Sequence, residues 1–263
     1  MVSKFDIFLY FYVMISVKSM KNYNSNNRVS MVFLAFISLY FSLPINAQNG
    51  ANFTDLCLGP ILTNSGLGIS SSAKIESNKK NDVYLTLTFK SLKHVKETKI
   101  QNPNYTNPKP YVYGKINDAA TINLGISRYK KMGYSSNIGP GIKLGLEGGA
   151  SIALTKPYYV YIQTSDDNFS TPDVVENNPI DRSVEDKILG PARTSNGLKN
   201  TTLKPGAYLD INLQLEWDKI HNIQRLKTGI IFEYFPSSLN ILYKNQNKAF
   251  THVYITYQIG RYN

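Results

Sequence analysis

The sequence is poor in cysteine and histidine. Its 263 residues include one cysteine, Cys57, so the chain can form neither an internal disulfide nor a zinc site built from cysteines. The three histidines, His94, His221 and His252, are scattered along the chain. We therefore expect no metal site and no cofactor.

Long apolar runs are also missing after residue 47, where no stretch reaches 18 consecutive apolar residues and none keeps a helical period. A membrane-spanning helix in the mature chain is thereby excluded. The N-terminus differs, because Lys21 and Arg28 precede an apolar run over 31–43 that ends at Pro44 and a small-residue site at Ala47. This order predicts a signal peptide over 1–47 and a mature domain over 48–263. A further apolar segment precedes Met20. A true start at Met20 accounts for it, and a second hydrophobic segment is the alternative.

The charge balance of the chain is basic overall, although the loop over 166–202 is locally acidic. Removing the four basic residues and one acidic residue of 1–47 from the chain's 29 and 18 leaves 25 and 17, a net charge of +8. No basic tract is interleaved with aromatics, so we expect no nucleic-acid partner. In an exported protein a basic balance favours anionic surfaces. The expected partners are outer-membrane lipid, lipopolysaccharide and other envelope proteins.

The dominant pattern is a two-residue alternation of apolar and polar side chains, clearest in AYLDINLQLEW over 207–217. Such a period is typical of a β-strand with two different faces. Seven clear runs follow it: 66–76, 83–90, 122–127, 142–152, 207–217, 226–234 and 252–260. A weaker eighth run covers 53–62. The connections at 78–82, 135–141 and 219–224 are short, whereas 99–120, 166–202 and 244–248 fall on the opposite side. Short turns at one end and longer loops at the other are typical of a transmembrane β-barrel.

The polar face of these strands carries too many charges for a soluble core, since buried ions must be paired. In a barrel lumen they can pair with one another. We predict a structural charge network in the lumen made of Lys74, Glu76, Lys90, Lys143, Glu147, Asp210, Glu216, Lys227 and Glu233. Aromatic residues near the predicted strand ends are expected at the membrane interfaces. They are Tyr158, Tyr159, Tyr161, Trp217, Tyr234 and Phe235. A soluble β-sandwich with a solvated polar face is the alternative.

Three segments resemble a known family. LKHVKETKIQNPNYTNPKPYVYGKIN over 92–117, ALTKPYYV over 153–160 and the final AFTHVYITYQIGRYN are similar to segments of uncharacterised outer-membrane β-barrel proteins of the Bacteroidota. The similarity extends over most of 62–263. Val95 stands where that family usually has proline after the histidine. The resemblance implies a membrane location and a barrel fold, and it implies no activity.

Candidate chemistry is sparse. Ser91 and His94 are the one imaginable nucleophile–base pair, and we expect no catalytic role for them. Gly145, Gly148 and Gly149 lie inside a strand pattern, which indicates close packing in a narrow barrel and not a phosphate loop. The segment over 109–117 either folds over the barrel mouth or forms an ordinary exposed loop.

The sequence as a whole predicts an all-β, antiparallel, up-and-down barrel of eight strands in a bacterial outer membrane. The leading hypothesis is a non-enzymatic barrel, either structural or an accessory subunit of an outer-membrane assembly or secretion complex. Three alternatives remain open. They are a small-solute channel, an outer-membrane lipid-modifying or hydrolytic enzyme, and a secreted β-sandwich binding protein.

Overall fold

The structure is a computed structural model that describes residues 55–77, 80–105, 107–132, 140–163, 172–178, 186–219 and 222–262. The predicted signal peptide, residues 48–54 and His221 lie outside the described residues. Thirteen strands and one short 3₁₀ helix (Leu198–Asn200) are present there. The strands are β1 (Asp55–Thr63), β2 (Gly66–Ser77), β3 (Asn81–Leu92), β4 (Lys99–Ile100), β5 (Tyr111–Val112), β6 (Asn117–Lys131), β7 (Gly141–Pro157), β8 (Tyr159–Ile162), β9 (Asp173–Glu176), β10 (Ile188–Pro191), β11 (Thr202–Lys219), β12 (Asn222–Leu242) and β13 (Asn245–Tyr262).

Eight of the strands close into an antiparallel barrel in the order β1, β2, β3, β6, β7, β11, β12, β13 and back to β1. Pairing of Asp55 with Tyr262 and of Thr63 with Tyr254 seals the ring. The eight-stranded barrel prediction is confirmed, and the weak first run is a true strand. The β-sandwich alternative is wrong, because a closed ring leaves no pair of open sheets to stack.

The alternation maps onto the two sides of the barrel wall. On β11, Ile211 is 49% exposed on the outside, whereas Asp210 and Asn212 are buried inside. The outer wall carries apolar side chains on every strand, including Leu58, Ile69, Leu85, Leu124, Ile126, Leu144, Leu146, Leu209, Leu213, Ile230, Phe232, Val253, Ile255 and Ile259. A polar interior inside an apolar exterior is the reverse of a soluble protein and is characteristic of a barrel that spans a membrane.

Two glycines make room for lumen tyrosines. A Cβ on Gly145 would lie 2.4 Å from the ring of Tyr129, and one on Gly125 would lie 2.3 Å from the hydroxyl of Tyr208. Real Cβ atoms do not approach other atoms so closely, so any side chain at these positions would displace a buried tyrosine. The predicted close packing at Gly145 therefore has a specific cause.

The ends of the barrel are unequal. The termini of the barrel and the connections around 78–80, 132–140 and 220–221 lie at one end, called here the short-turn end. The long connections 93–116 and 158–201 lie at the other, the long-loop end, and contain the short strands β4, β5, β8, β9 and β10. Two to four residues are too few to show a period in the sequence. The predicted loop at 244–248 is a tight turn at Tyr243–Lys244, and β13 begins at Asn245. Within the described ranges no helix is long and apolar enough to cross a membrane.

Candidate functional site: the filled lumen and the folded mouth

The lumen next to the short-turn end holds an ion network around Arg225. Its guanidinium lies 2.7 Å from the carboxylate of Asp55 and 2.8 Å from that of Glu216, and it covers the ring of Tyr84 at 4.7 Å. Lys74 also binds Asp55, at 2.7 Å, and Lys143 bridges Glu216 and Asp82. Asp82 also pairs with the partly exposed Lys131 at 3.0 Å, so every carboxylate of this layer has two cationic partners.

The middle layer has a single cation between two acids. The ammonium of Lys227 lies 2.8 Å from Glu147 and 3.3 Å from Asp210. Neutral side chains supply the remaining hydrogen bonds: Thr86 and Tyr208 donate to Glu147, and Tyr254 and the amide of Asn212 donate to Asp210. Charge-assisted hydrogen bonds of this kind replace the hydrogen bonds to water that the two carboxylates lose on burial.

The upper layer is centred on Glu233. Lys90, which is fully buried, donates to one carboxylate oxygen at 2.8 Å, and Asn123 donates to the same oxygen at 2.6 Å. A ring nitrogen of His252 lies 3.1 Å from the other oxygen. The side chain of Ser151 in turn donates to Asn123 at 2.7 Å. This layer joins five of the eight barrel strands across the lumen.

Above these layers an apolar plug fills the lumen. It consists of Leu92, Ala153, Phe235, Leu239, Ile241 and Phe250, with Ala119 at its edge. Phe235 and Phe250 pack edge to face, with ring centroids 6.2 Å apart. A water-filled path would have to cross this plug as well as three ion layers.

The end of β12, residues 239–242, covers the plug. We call this segment the strap. β12 stays paired with β11 as far as Tyr234 and then turns across the mouth. There Ile116 donates its amide to Ile241 at 2.9 Å, and Tyr243 donates to Gly114 at 2.8 Å. The strap thereby ties β12 to the chain just before β6, three strands away around the ring.

A folded cap covers the strap. We define the cap as residues 93–116 together with the described parts of 158–201. It contains the β4–β5 hairpin and a three-stranded sheet in the order β10, β8, β9. Tyr111, Tyr158, Val160 and Ile188 form its apolar centre. Lys115 fastens it, through Glu97 at 3.1 Å and Asp118 at 3.0 Å. The segment 109–117 thus folds over the mouth, and it is not an ordinary exposed loop.

Most of the charges predicted for the lumen do lie there. Lys74, Lys90, Lys143, Glu147, Asp210, Glu216, Lys227 and Glu233 are buried and take part in the three layers. A bulge shifts the register between Lys74 and Glu76, and the side chain of Glu76 is outside the described part of the structure.

The predicted charge network left out four lumen residues, Asp55, Asp82, Arg225 and His252, although the predicted runs 53–62 and 252–260 contain Asp55 and His252. Arg225 lies two residues before Lys227 and Asp82 two residues before Tyr84, so both continue an alternation that was already visible. The predicted runs began too late to include them.

The predicted interfacial aromatics divide into three groups. Tyr234 is 54% exposed on the outer wall, and Trp217 is half-buried on the same wall. The two residues lie near opposite ends of the paired part of β11 and β12. Tyr159 and Tyr161 are half-buried in the cap sheet. The expectation is wrong for Phe235, which has no exposure and lies in the plug, and for Tyr158, which lies in the centre of the cap.

Ser91 and His94 are each engaged elsewhere. The hydroxyl of Ser91 donates to the carbonyl of Leu67 at 3.1 Å and accepts from the Leu67 amide. The Nδ1 atom of His94 accepts from the amide of Lys96, and its Nε2 atom lies 2.8 Å from the side chain of Asn247. Burial lowers the pKa of His94 below its ordinary value, and the neighbouring Lys96 lowers it further. These contacts give His94 a structural role in seating the cap.

Among the described residues, no three His, Cys, Asp or Glu side chains are grouped in a way that could hold a metal ion. His94 belongs to the cap and His252 to the upper lumen layer. The polar groups that come together in the lumen are therefore ion pairs and hydrogen-bonded networks.

Two solved structures of low sequence identity are similar to this chain. No protein-family model matches the sequence, and no curated protein is significantly similar to it. The chain is similar to the crystal structure of Neisserial surface protein A, with 10% identity, 80% of this chain and 95% of that chain covered, and a TM-score of 0.38. It is also similar to Ail, the attachment invasion locus protein of Yersinia pestis, with 6% identity, 79% and 95% covered, and a TM-score of 0.36.

Similarities this weak assign no function, and the barrel's own residues carry the classification. A closed ring of eight strands, an apolar outer wall and an ion-paired interior together define a transmembrane β-barrel of the outer-membrane type.

Proposed function

We propose that this chain is a closed, non-enzymatic barrel of the bacterial outer membrane that acts as a structural or accessory subunit of an assembly or secretion complex. The observation that carries the proposal is the combination of a blocked lumen and a folded cap. A plug under a strap closes the mouth, and more than 20 residues of the first long connection are built into an ordered surface above it. A barrel of this kind offers a fixed platform to another protein.

The other functions are less well supported. A small-solute channel needs a continuous wet path, which the plug and three ion layers oppose. A hydrolase needs a free nucleophile and base, whereas Ser91 and His94 form hydrogen bonds with other partners.

The resemblance in 92–117 and 153–160 also supports membership of the Bacteroidota barrel family.

Lipopolysaccharide is the proposed lipid partner at the long-loop end. Exposed cations surround the cap and the outer ends of the strands, including Lys93, Lys96, Lys99, Lys109, Lys187, Arg193, Lys199, Lys244 and Lys248. Phosphates of lipopolysaccharide are the anionic groups that such side chains would meet in an outer leaflet.

The cap is expected to be the contact surface for the partner protein. It exposes Val95 at 90% and Tyr113 at 54%, and exposed apolar side chains of this kind mark interaction sites. The double substitution Val95→Glu with Tyr113→Glu should release a partner that co-purifies stoichiometrically with the wild-type chain from its native membrane. The control is Met132→Glu, at an exposed apolar residue of the short-turn end. A complex that survives the double substitution and is lost in the control would contradict the proposal.

The proposed orientation places the cap outside the cell. In a Cys57→Ser background, cysteine introduced at the exposed Lys199 should react with an impermeant maleimide on intact cells. Cysteine at the exposed Lys80, in the turn between β2 and β3, should react only after the envelope is permeabilised. Labelling of Lys80→Cys in preference to Lys199→Cys on intact cells would reverse the orientation.

A further inference from the structure

The outer wall near the short-turn end carries a group of cations, which we call the basic patch: Lys80, Arg128 and Lys130. Arg128 and Lys130 are both exposed on β6 and, two residues apart, face the same side of the wall. Lys80 comes from the neighbouring turn, whose carbonyl accepts a hydrogen bond from the amide of Lys131 at 3.0 Å. Exposed Lys80 therefore lies at the end of the barrel next to the strand that carries Arg128 and Lys130.

The basic patch lies on the lipid-contacting wall and not beyond it. Arg128 is paired with Leu146 on β7 and with Val83 on β3, and Lys130 is paired with Leu144. Leu144 and Leu146 are 47% and 55% exposed. The wall stays apolar even closer to the end of the barrel, because exposed Met132 and Ile142 are joined by a backbone hydrogen bond of 2.9 Å. Apolar side chains thus flank the cations on the side of the membrane.

No carboxylate neutralises the basic patch among the described residues. Asp82, next to Asn81 on β3, is buried in the lumen and bound by Lys143 at 2.8 Å and by Lys131 at 3.0 Å. The backbone of Glu76 lies two strands from Arg128, with Val83 between them, and the Glu76 side chain is outside the described part of the structure. The sequences 78–79 and 133–139 contain no acidic residue, and position 79 is a further lysine.

The acids at this end whose side chains the structure describes are instead gathered inside the barrel. Asp55, Asp82 and Glu216 are all buried and paired with lumen cations. Among the described side chains the wall therefore separates charge, with the acids ion-paired inside and Arg128 and Lys130 exposed outside. A cation on a lipid-facing wall is tolerated near the interface, where its side chain can extend to the headgroups.

We infer that the basic patch is a binding site for an anionic phospholipid. Its phosphate would lie against Arg128 and Lys130, with Lys80 beside it, and its acyl chains would cover Leu144, Leu146 and Met132. An arginine and a lysine two residues apart match a phosphate, since arginine offers a planar pair of donors and lysine a point charge. The inference rests on the proposed orientation in one respect, that the short-turn end faces the periplasm and so meets phospholipid and not lipopolysaccharide.

The test is lipid binding by the purified full-length mature chain, measured by native mass spectrometry after incubation with phosphatidylglycerol, phosphatidylcholine or lipid A. Wild-type protein should retain phosphatidylglycerol in preference to phosphatidylcholine. Arg128→Gln with Lys130→Gln should reduce that preference on the order of tenfold. The control, Lys199→Gln with Lys248→Gln, removes the same charge from exposed positions at the long-loop end and should keep the preference.

Two further measurements separate the possible failures. Raising the salt concentration should weaken the preference of the wild-type chain, so the inference stays testable without any variant. A phosphatidylglycerol preference that is equal in all three proteins would overturn the site. A preference for lipid A that is lost in the Arg128/Lys130 variant would overturn the phospholipid assignment, whereas failure of the proposed function would be seen independently in the cap-dependent co-purification.

Discussion

Replacing Lys227 by methionine is expected to lower the free energy of unfolding by about 3–5 kcal/mol. Lys227 is the only cation that contacts Glu147 and Asp210 within the described lumen, at 2.8 and 3.3 Å. Methionine keeps much of the side-chain volume and removes the charge. Two buried carboxylates would then repel each other with only neutral hydrogen-bond donors beside them, which is the costly case of a broken buried ion pair.

Two further substitutions in the same layer should restore the stability that Lys227→Met removes. Adding Glu147→Gln and Asp210→Asn to Lys227→Met removes the stranded charges, and most of the lost stability should return because a neutral network carries no ionic desolvation penalty. Lys199→Met, at an exposed position of the cap, is the control and should change the free energy of unfolding by less than about 0.5 kcal/mol. Reversible unfolding from lipid vesicles in urea measures all three. A triple variant no more stable than Lys227→Met would show that charge is not the cause.

Replacing Ile211 by arginine is expected to cause the second large loss of stability. Ile211 is exposed on the outer wall of β11 with Leu209 and Leu213 beside it on the same face. Ile211→Arg should cost about 2–4 kcal/mol, the range for a cation near the middle of the bilayer. The measurement is again unfolding from vesicles, with folded β-sheet content monitored by circular dichroism.

Replacing isoleucine by alanine should cost different amounts of stability on the inner and outer sides of the barrel wall. Ile231, paired with Asp210 across β11 and β12, is 4% exposed and packs inside with Ile61, Tyr208 and Tyr254. Ile231→Ala should open a cavity and cost about 2–5 kcal/mol. Ile211→Ala should be mild, since lipid chains fill the space that is left. If Ile211→Ala is as destabilising as Ile231→Ala, the outer wall does not face lipid.

Local sequence determined the barrel itself. Alternation puts Ile211 and Asp210 on opposite sides of any strand they form, whatever the strand's partner, because successive side chains point to opposite faces. Eight such runs with short turns at one end leave few arrangements other than a closed antiparallel barrel. The inward direction of Lys90, Glu147 and Lys227 follows from the same period, and so does the direction of the missed Arg225.

Tertiary structure decided which groups meet. Lys90 finds Glu233 across 143 residues and Lys227 finds Glu147 across 80, and these pairs depend on the stagger between strands that closes the ring. No local pattern encodes that stagger.

Phe235 shows the same limit, because an aromatic near the end of the run 226–234 resembles an interfacial residue. Alternation points Phe235 inward with Glu233 and leaves Tyr234 on the outer wall. Because β12 continues to Leu242, the inward ring of Phe235 packs with Leu239 and Ile241 and becomes part of the plug. The end of β12 is held there by hydrogen bonds from Ile116 to Ile241 and from Tyr243 to Gly114, between residues more than 100 positions apart that are adjacent only in the folded barrel.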